Sequence, residues 1–239
     1  MTKLVSCIII LVMESLARIP VASYIFFGVF FAFSIWHIVL CVIRQQSFLR
    51  KATKSCCVLS LAIAVCIAVP TYPLLYLGLF CGAIGDFLLI FKRKPVLFIL
   101  GAVFFLANHI LFLIQGAIMI LPNVENPTWG IVIYLAIAYV IAYIIAYKML
   151  RKPKRAIPGG IYVTALLCNV GLYALACFQG RVAYFLVCLF GAFSFLASDM
   201  LLAYSLFVKG NQKSRHLVMA SYLIAQFLIS FGFVLTILA

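Results

Sequence analysis

Long apolar runs separated by short polar breaks make up most of the chain. An α-helix needs about 20 apolar residues to cross a hydrocarbon layer of about 30 Å, and the connections carry the Pro, Gly and Asn typical of breaks. The pattern predicts an all-α polytopic membrane helix bundle of about eight transmembrane helices, with residues 1–239 as a single domain. The predicted spans are about Val21 to Ile43, Ser55 to Val69, Tyr72 to Phe91, Pro95 to Ile120, Thr128 to Leu150, Gly159 to Phe178, Val182 to Val208, and Leu217 to Leu238.

Two apolar runs are short for a bilayer. The second span, Ser55 to Val69, is expected to borrow flanking residues. The run from Leu4 to Ala17 follows Lys3 and is typical of a signal-peptide core, a helix that lies on the membrane surface, or a short extra span. For residues 1–20 we favour an uncleaved interfacial or extra helix over a cleaved signal.

The composition and the charge pattern agree with a bilayer environment. Of all residues 68% are hydrophobic, 9% are charged, and the mean hydropathy is +1.28. The net charge of +14 does not predict nucleic-acid binding, because fifteen of the eighteen basic residues lie in every second loop. The positive-inside rule assigns these loops to the cytoplasm and the C-terminus to the opposite side, in a bacterial cell membrane or a eukaryotic endomembrane. The basic loop residues are Arg44, Arg50, Lys51, Lys54, Lys92, Arg93, Lys94, Lys148, Arg151, Lys152, Lys154, Arg155, Lys209, Lys213 and Arg215.

Two of the four acidic residues, Asp86 and Asp199, lie inside apolar runs. An ionisable group at membrane depth costs at least about 2.5 kcal/mol on insertion scales, so it normally pairs, is neutral or lines a wet cavity. The stretches "GDFLLIF" and "SDMLLAY" around them are similar and lie four spans apart, which suggests two parallel four-helix repeats. We therefore expect both carboxyl groups to share one cavity near the cytoplasmic side.

Other polar residues in the spans are candidates for the same cavity. For any one of them, hydrogen bonding between helices is the commoner role. The three histidines are not at metal-ligand spacing and no Cys-x-x-Cys pair occurs, so we expect neither a metal nor another cofactor. The polar candidates are Asn108, His109, Gln115, Ser198, Tyr222, Gln226, His37 and Asn169, and an aromatic stripe on the fifth span is formed by Tyr139, Tyr143 and Tyr147.

The polar motifs, taken together and in order, resemble the YhhN family of eight-span membrane proteins. The family pattern has a Gly-Asp motif, a histidine, a Ser-Asp motif and a Tyr-x-x-x-Gln motif. A Lys-Pro commonly opens the second span of the family, whereas this chain has Lys54-Ser55. The matching stretches are GAIGDFLLIF with Asp86, GAVFFLANHILFLIQG with His109, GAFSFLASDMLLAYSLF with Ser198 and Asp199, and YLIAQFLIS with Tyr222 and Gln226.

The resemblance implies a lysoplasmalogenase, an ether hydrolase that releases a fatty aldehyde and glycerophosphoethanolamine or glycerophosphocholine. Protonation of the vinyl ether double bond gives an oxocarbenium-like cation that water captures, so the reaction needs one acid and one anion. Two carboxyl groups divide the same labour in glycoside hydrolysis. We hypothesise that either Asp86 or Asp199 is the neutral proton donor while the other stays ionised, and the sequence leaves the assignment open. Substrate and water would be bound by Lys54, Asn108, His109, Ser198, Tyr222 and Gln226.

Two alternative functions stay open at this point. Paired carboxyl groups within the membrane and a parallel repeat also describe a small proton-coupled transporter or channel. A third reading is a protein with the same scaffold that cleaves or merely binds another lysolipid. Hydrolysis of a lysoplasmalogen, but not of its saturated alkyl-ether analogue, would distinguish the first hypothesis from both.

Overall fold

The computed structural model describes residues 12–43, 48–91, 94–123, 128–150, 153–178, 182–205 and 215–239. Within these ranges nearly every residue is helical, which confirms the all-α bundle, and the chain is a multi-pass integral membrane protein. The side of the membrane on which each loop lies stays a prediction. The helices are α1 (Val21–Val42), α2 (Phe48–Ala68), α3 (Pro73–Leu88), α4 (Pro95–Ile120), α5 (Thr128–Leu150), α6 (Pro153–Phe178), α7 (Val182–Tyr204) and α8 (Arg215–Leu238).

Seven of these helices are long and apolar enough to cross a membrane, and α2 is the exception. Its apolar part is Ala52–Ala68, but the helix begins at Phe48, seven residues before the predicted span. The chain has neither Pro nor Gly between Phe48 and Ser55, so the helix continues through its basic end. The helix therefore supplies the flanking residues that the short apolar run was expected to borrow.

Helix α6 also begins earlier than predicted, at Pro153 and not at Gly159. The Pro-Gly-Gly sequence was interpreted as a break, but Pro158 lies inside the helix. Neighbouring groups in a membrane bundle satisfy the backbone groups that a proline frees. Gly160 has a packing role, because a Cβ at this position would lie 3.3 Å from the Tyr143 Cα of α5.

The pattern of helix packing repeats with an offset of four helices. In the first half α1 packs on α2, α2 on α3 and α3 on α4; in the second half α5 packs on α6, α6 on α7 and α7 on α8. The halves meet through the equivalent pairs α4 with α6 and α8 with α2, and α8 also contacts α1. Helix α8 lies centrally, since 61% of its span is buried against 17% for α5. This arrangement agrees with the predicted pair of four-helix halves.

The residues around the two aspartates repeat in register as well. Gly78 and Gly191 each precede their aspartate by eight residues, and the next helix approaches closely at both glycines. A Cβ at Gly78 would lie 3.4 Å from the backbone oxygen of Asn108 on α4, and one at Gly191 would lie 2.8 Å from the backbone nitrogen of Ile229 on α8. Glycine removes the side chain that would keep these helices apart. Each half therefore holds its aspartate-bearing helix tightly against its last helix.

The described part of the N-terminal run packs on the bundle. Residues 12–17 are helical, and the Ser15 hydroxyl lies 3.2 Å from the Tyr184 hydroxyl at the start of α7. The Arg18 guanidinium donates to the backbone oxygens of Leu238, at 2.7 Å, and Ala239, at 3.3 Å, which caps the last turn of α8. The prediction for residues 1–20 also covers residues 1–11, which lie outside the described residues.

Candidate active site

Asp86 lies near the end of α3, where helices α2, α3 and α8 meet. Its carboxyl group is 2.5 Å from the Lys54 Nζ, and the Tyr222 hydroxyl donates to its Oδ2 at 2.9 Å. The Lys54 ammonium lies over the Tyr222 ring, 4.8 Å from the centroid, which adds a cation–π contact. The Asp86 side chain has no exposed surface, whereas 16% of the Lys54 side chain is exposed. A cation and a hydroxyl donor at hydrogen-bond distance both favour the ionised form of Asp86.

Asp199 lies on α7 in a different environment. The Tyr162 hydroxyl of α6 donates to its Oδ2 at 2.5 Å, and the same hydroxyl lies 3.5 Å from the His109 Nε2. No Lys or Arg of the described chain forms an ion pair with this carboxyl group. Asp199 and Tyr162 are both partly exposed, whereas Asp86 is sealed. Asp199 is therefore the more exposed residue of the two, and the hydrogen-bond partner of its carboxyl group is neutral.

Phe195 of α7 lies between the two clusters. The Phe195 ring makes edge contacts with the His109 ring, at 4.3 Å between centroids, and with the Tyr222 ring, at 5.4 Å. His109 belongs to the Asp199 cluster and Tyr222 to the Asp86 cluster. One aromatic side chain thus contacts both predicted aspartate clusters.

Two buried carboxamides lie beside the Asp86 cluster. The Asn108 Nδ2 donates to the Gly78 backbone oxygen at 2.6 Å, and the Gln226 Nε2 donates to the Tyr222 hydroxyl at 3.4 Å. Both side chains close over Gly82, whose Cβ would lie 3.3 Å from the Gln226 Nε2 and 3.4 Å from the Asn108 Nδ2. Neither amide oxygen has a hydrogen-bond partner within the described chain. Asn108 joins α4 to α3 through its hydrogen bond, and Gln226 of α8 packs against Gly82 of α3. The side-chain oxygens of both amides can still accept a hydrogen bond from a further donor such as water.

Several other polar candidates hold helices together. The buried Ser198 hydroxyl donates to the Val218 backbone oxygen at 2.9 Å and joins α7 to α8. The Asn169 Nδ2 donates to the His109 backbone oxygen at 3.1 Å and so joins α6 to α4. His37 contacts the Thr53 hydroxyl, 2.9 Å from its Nδ1, between α1 and α2. The predicted substrate contact of Ser198 stays a prediction, since this hydroxyl already serves helix packing.

Gln115 and the tyrosine stripe of α5 lie outside the two aspartate clusters. Gln115 is buried on α4. The three tyrosines of α5 stack on one another, with ring centroids 6.4 Å apart between Tyr139 and Tyr143 and 6.3 Å apart between Tyr143 and Tyr147. Among the residues that the structure describes, no group of three or more His, Cys, Asp or Glu side chains has a geometry that holds a metal ion.

Tyr162 is the residue of the site that the sequence analysis missed. It lies on α6, the second helix of the second half, as Lys54 lies on α2, the second helix of the first half. The sequence holds a usable signal: Tyr162 precedes Asn169 by seven residues, so both lie on one face of α6. Asn169 is among the polar candidates of the sequence, and it contacts α4 of the other half. Tyr162, on the same face of α6, is therefore directed toward that half as well.

Comparison with protein-family models gives a match to the YhhN family over residues 46–233, which is most of the chain and begins after α1. The matched region contains all eight residues of the predicted site. No curated protein and no solved structure matches the chain.

Proposed function

The chain belongs to the YhhN family, and from this premise we propose that it hydrolyses the vinyl ether bond of lysoplasmalogens. The products are a fatty aldehyde and glycerophosphoethanolamine or glycerophosphocholine. The observation that carries the proposal is the unequal pairing of the two carboxyl groups, Asp86 with a cation and Asp199 with a neutral hydroxyl. Cleavage of a vinyl ether needs this inequality, because one group must give a proton while the other carries negative charge.

Asp199 is assigned as the proton donor. Asp199 is a partly exposed residue whose carboxyl group has no ion-pair partner in the described chain, so this group can be neutral. Its hydrogen-bond partner is a neutral hydroxyl, whereas Asp86 lies against an ammonium group that favours the charged form. Different surroundings separate the acid from the anion in other paired carboxyl sites as well.

Asp86 is assigned as the anion that stabilises the cationic intermediate. Lys54 compensates this charge in the resting site, and it is also the group of the pair with exposed surface. A substrate phosphate that binds Lys54 would compete with Asp86 for the ammonium group. The negative charge of Asp86 would then be less completely neutralised. The substrate headgroup would then strengthen the field of Asp86 at the reacting carbons.

The proposed reaction balances with one water molecule. Asp199 transfers its proton to the double-bond carbon farther from the ether oxygen, and the carbon next to that oxygen becomes the centre of an oxocarbenium ion. Water adds to this carbon and returns a proton to the Asp199 carboxylate. The hemiacetal then breaks its bond to the glycerol oxygen, which takes up the hemiacetal hydroxyl proton as the aldehyde leaves.

Two matched comparisons test the proposal in detergent. The purified protein should release aldehyde from a lysoplasmalogen and none from the alkyl-ether analogue, whose saturated chain cannot be protonated in this way. Asp199→Asn and Asp86→Asn should each lower kcat by a factor on the order of 10² to 10⁴. Glu14→Gln makes the same chemical change at an exposed carboxyl group and should retain activity. Full activity of either aspartate variant, or cleavage of the saturated ether, would reject the scheme.

The helix-packing repeat and the buried carboxyl group also fit a small proton-coupled transporter. The transporter hypothesis predicts flux of an unchanged substrate across proteoliposomes. The hydrolase hypothesis predicts aldehyde in detergent, where no gradient exists. Both measurements start from the same purified protein. Flux without aldehyde release would therefore favour the transporter hypothesis over the hydrolase hypothesis.

A further inference from the structure

The Tyr162 hydroxyl fixes which oxygen of Asp199 carries the acidic proton. A phenol has one hydrogen to donate. The Tyr162 oxygen lies 2.5 Å from the Asp199 Oδ2 and 3.5 Å from the His109 Nε2, so the hydrogen belongs to the shorter contact. A neutral Asp199 whose Oδ2 accepts this hydrogen carries its own proton on Oδ1. The reverse polarity, with Oδ2–H donating to the Tyr162 oxygen, would turn the phenol hydrogen toward His109, where the contact is longer, at 3.5 Å.

The repeat shows what is particular about this hydroxyl. The second helix of each half provides the partner of the aspartate in that half: Lys54 of α2 for Asp86, and Tyr162 of α6 for Asp199. An ammonium group favours ionisation of the neighbouring carboxyl group. A phenol tolerates a neutral carboxyl group, and it still donates to the carboxylate once the proton has left. The difference between these two side chains therefore separates the roles of the two aspartates.

The Tyr162 side chain is held in place by the contact between the two halves. Its ring meets the edge of the His109 ring at 5.6 Å between centroids. His109 is tied to the same helix by the Asn169 amide, which donates to the His109 backbone oxygen. The Asn169 Oδ1 in turn accepts from the Tyr173 hydroxyl at 2.8 Å. These contacts hold α4 and α6 together and leave the Tyr162 hydroxyl directed at Asp199.

We propose that Tyr162 is a positioning residue for the general acid: it holds the acidic proton of Asp199 on Oδ1 and stabilises the carboxylate that remains after proton transfer. This inference rests on the proposed function for its kinetic consequence. Its structural content, a neutral Asp199 hydrogen-bonded to Tyr162, is independent of any reaction.

Infrared spectroscopy of the carboxyl C=O stretch tests the structural content without substrate. The chain has only four acidic residues, so the band of a buried neutral carboxyl group can be assigned by substitution. The band should vanish in Asp199→Asn and remain in Asp86→Asn. In Tyr162→Phe it should move to higher wavenumber, because the C=O group loses its donor. Tyr184→Phe removes a hydroxyl from α7, the helix that carries Asp199, but this hydroxyl contacts Ser15 at the start of the helix, so the variant should leave the band in place.

The kinetic test uses the same four variants and requires that each retains its thermal unfolding transition. Tyr162→Phe should lower kcat about 10- to 100-fold, as expected for loss of a hydrogen bond to a charged group, with KM nearly unchanged. Tyr184→Phe should lower kcat less than about 3-fold.

Three results would overturn the inference: an unmoved band in Tyr162→Phe, loss of the band in Asp86→Asn, or equal losses of kcat in the two tyrosine variants. If the wild-type protein does not hydrolyse lysoplasmalogens, the proposed function fails, and the infrared result alone still decides whether Tyr162 positions a neutral Asp199.

Discussion

Neutralising Lys54 gives the sharpest test of the buried ion pair. Lys54→Met keeps a long unbranched side chain and removes the charge that lies 2.5 Å from Asp86. The Asp86 side chain has no exposed surface, so water cannot replace the lost partner. Breaking a buried pair by removing one partner typically costs about 3–5 kcal/mol. We expect the free energy of unfolding of Lys54→Met to fall by an amount in this range, and kcat to fall as well.

A double-mutant cycle separates the ion pair from the other contacts of Lys54. The lysine also lies over the Tyr222 ring, a cation–π contact that contributes about 0.5–2 kcal/mol and that Asp86→Asn leaves in place. Lys54→Met leaves the buried Asp86 charge without its cation, and Asp86→Asn leaves the partly exposed Lys54 charge without its anion, whereas the double variant leaves neither. Replacing both partners of a buried pair by neutral groups is often tolerated. The double variant should therefore lose less stability than the sum of the singles by about 3 kcal/mol or more.

Unfolding in mixed micelles of increasing denaturing detergent, followed by far-UV circular dichroism, measures these differences. Arg18→Met is the control, because it removes an equally long cationic side chain whose contacts are exposed. It should cost less than about 1 kcal/mol. Additive losses in the cycle, or a Lys54→Met variant as stable as Arg18→Met, would show that Asp86 does not depend on Lys54 for its charge. The assignment of Asp86 as the anion would then be wrong.

Two further predictions concern the packing around the site. Tyr222→Phe removes the donor to Asp86 Oδ2 and should lower the free energy of unfolding by about 1–3 kcal/mol, measured in the same micelles, because a buried carboxylate oxygen loses its partner. Wild-type stability in this variant would contradict the 2.9 Å hydrogen bond. Gly191→Ala should also destabilise, by about 1–3 kcal/mol, since its Cβ would lie 2.8 Å from the backbone nitrogen of Ile229. Gly28→Ala is the matched control, with nothing within 4 Å of the added Cβ, and equal melting temperatures of the two alanine variants would refute the close approach of α7 and α8.

Hydropathy predicts the helices well because only closed backbone hydrogen bonding is tolerated in a hydrocarbon layer. Four spans, beginning at Val21, Pro95, Thr128 and Val182, start where the structure places the helices. The errors at α2 and α6 have a common cause. The basic residues before Ser55 resemble a loop in sequence, but they belong to the first turns of α2. The glycines after Pro158 also resemble a loop, but they lie within α6, where Gly160 packs against α5. Polarity marks the edge of the bilayer, and a helix does not have to stop there.

The two carboxyl groups and the candidates Lys54 and Tyr222 were predictable from the sequence, but Tyr162 and the pairing of these side chains were not. Asp86 and Asp199 stand out because a charge in an apolar run is costly. Tyr162 does not stand out, since tyrosine is an ordinary residue in membrane helices and usually packs or anchors. That Tyr222 bonds to Asp86 and not to Asp199 depends on how the halves cross. Such a pairing depends on tertiary packing, and the spacing of residues along one helix does not predict it.

The repeat also explains why the site cannot form within either half alone. His109 follows Asp86 by 23 residues, and Tyr222 follows Asp199 by 23, so they occupy equivalent positions at the last helix of each half. Each serves the aspartate cluster of the other half: Tyr222 donates to Asp86, and His109 contacts Tyr162 beside Asp199. This crossed arrangement places both carboxyl groups at the contact between the halves. The proposed site therefore requires the association of the halves, through contacts that include α2 with α8 and α4 with α6.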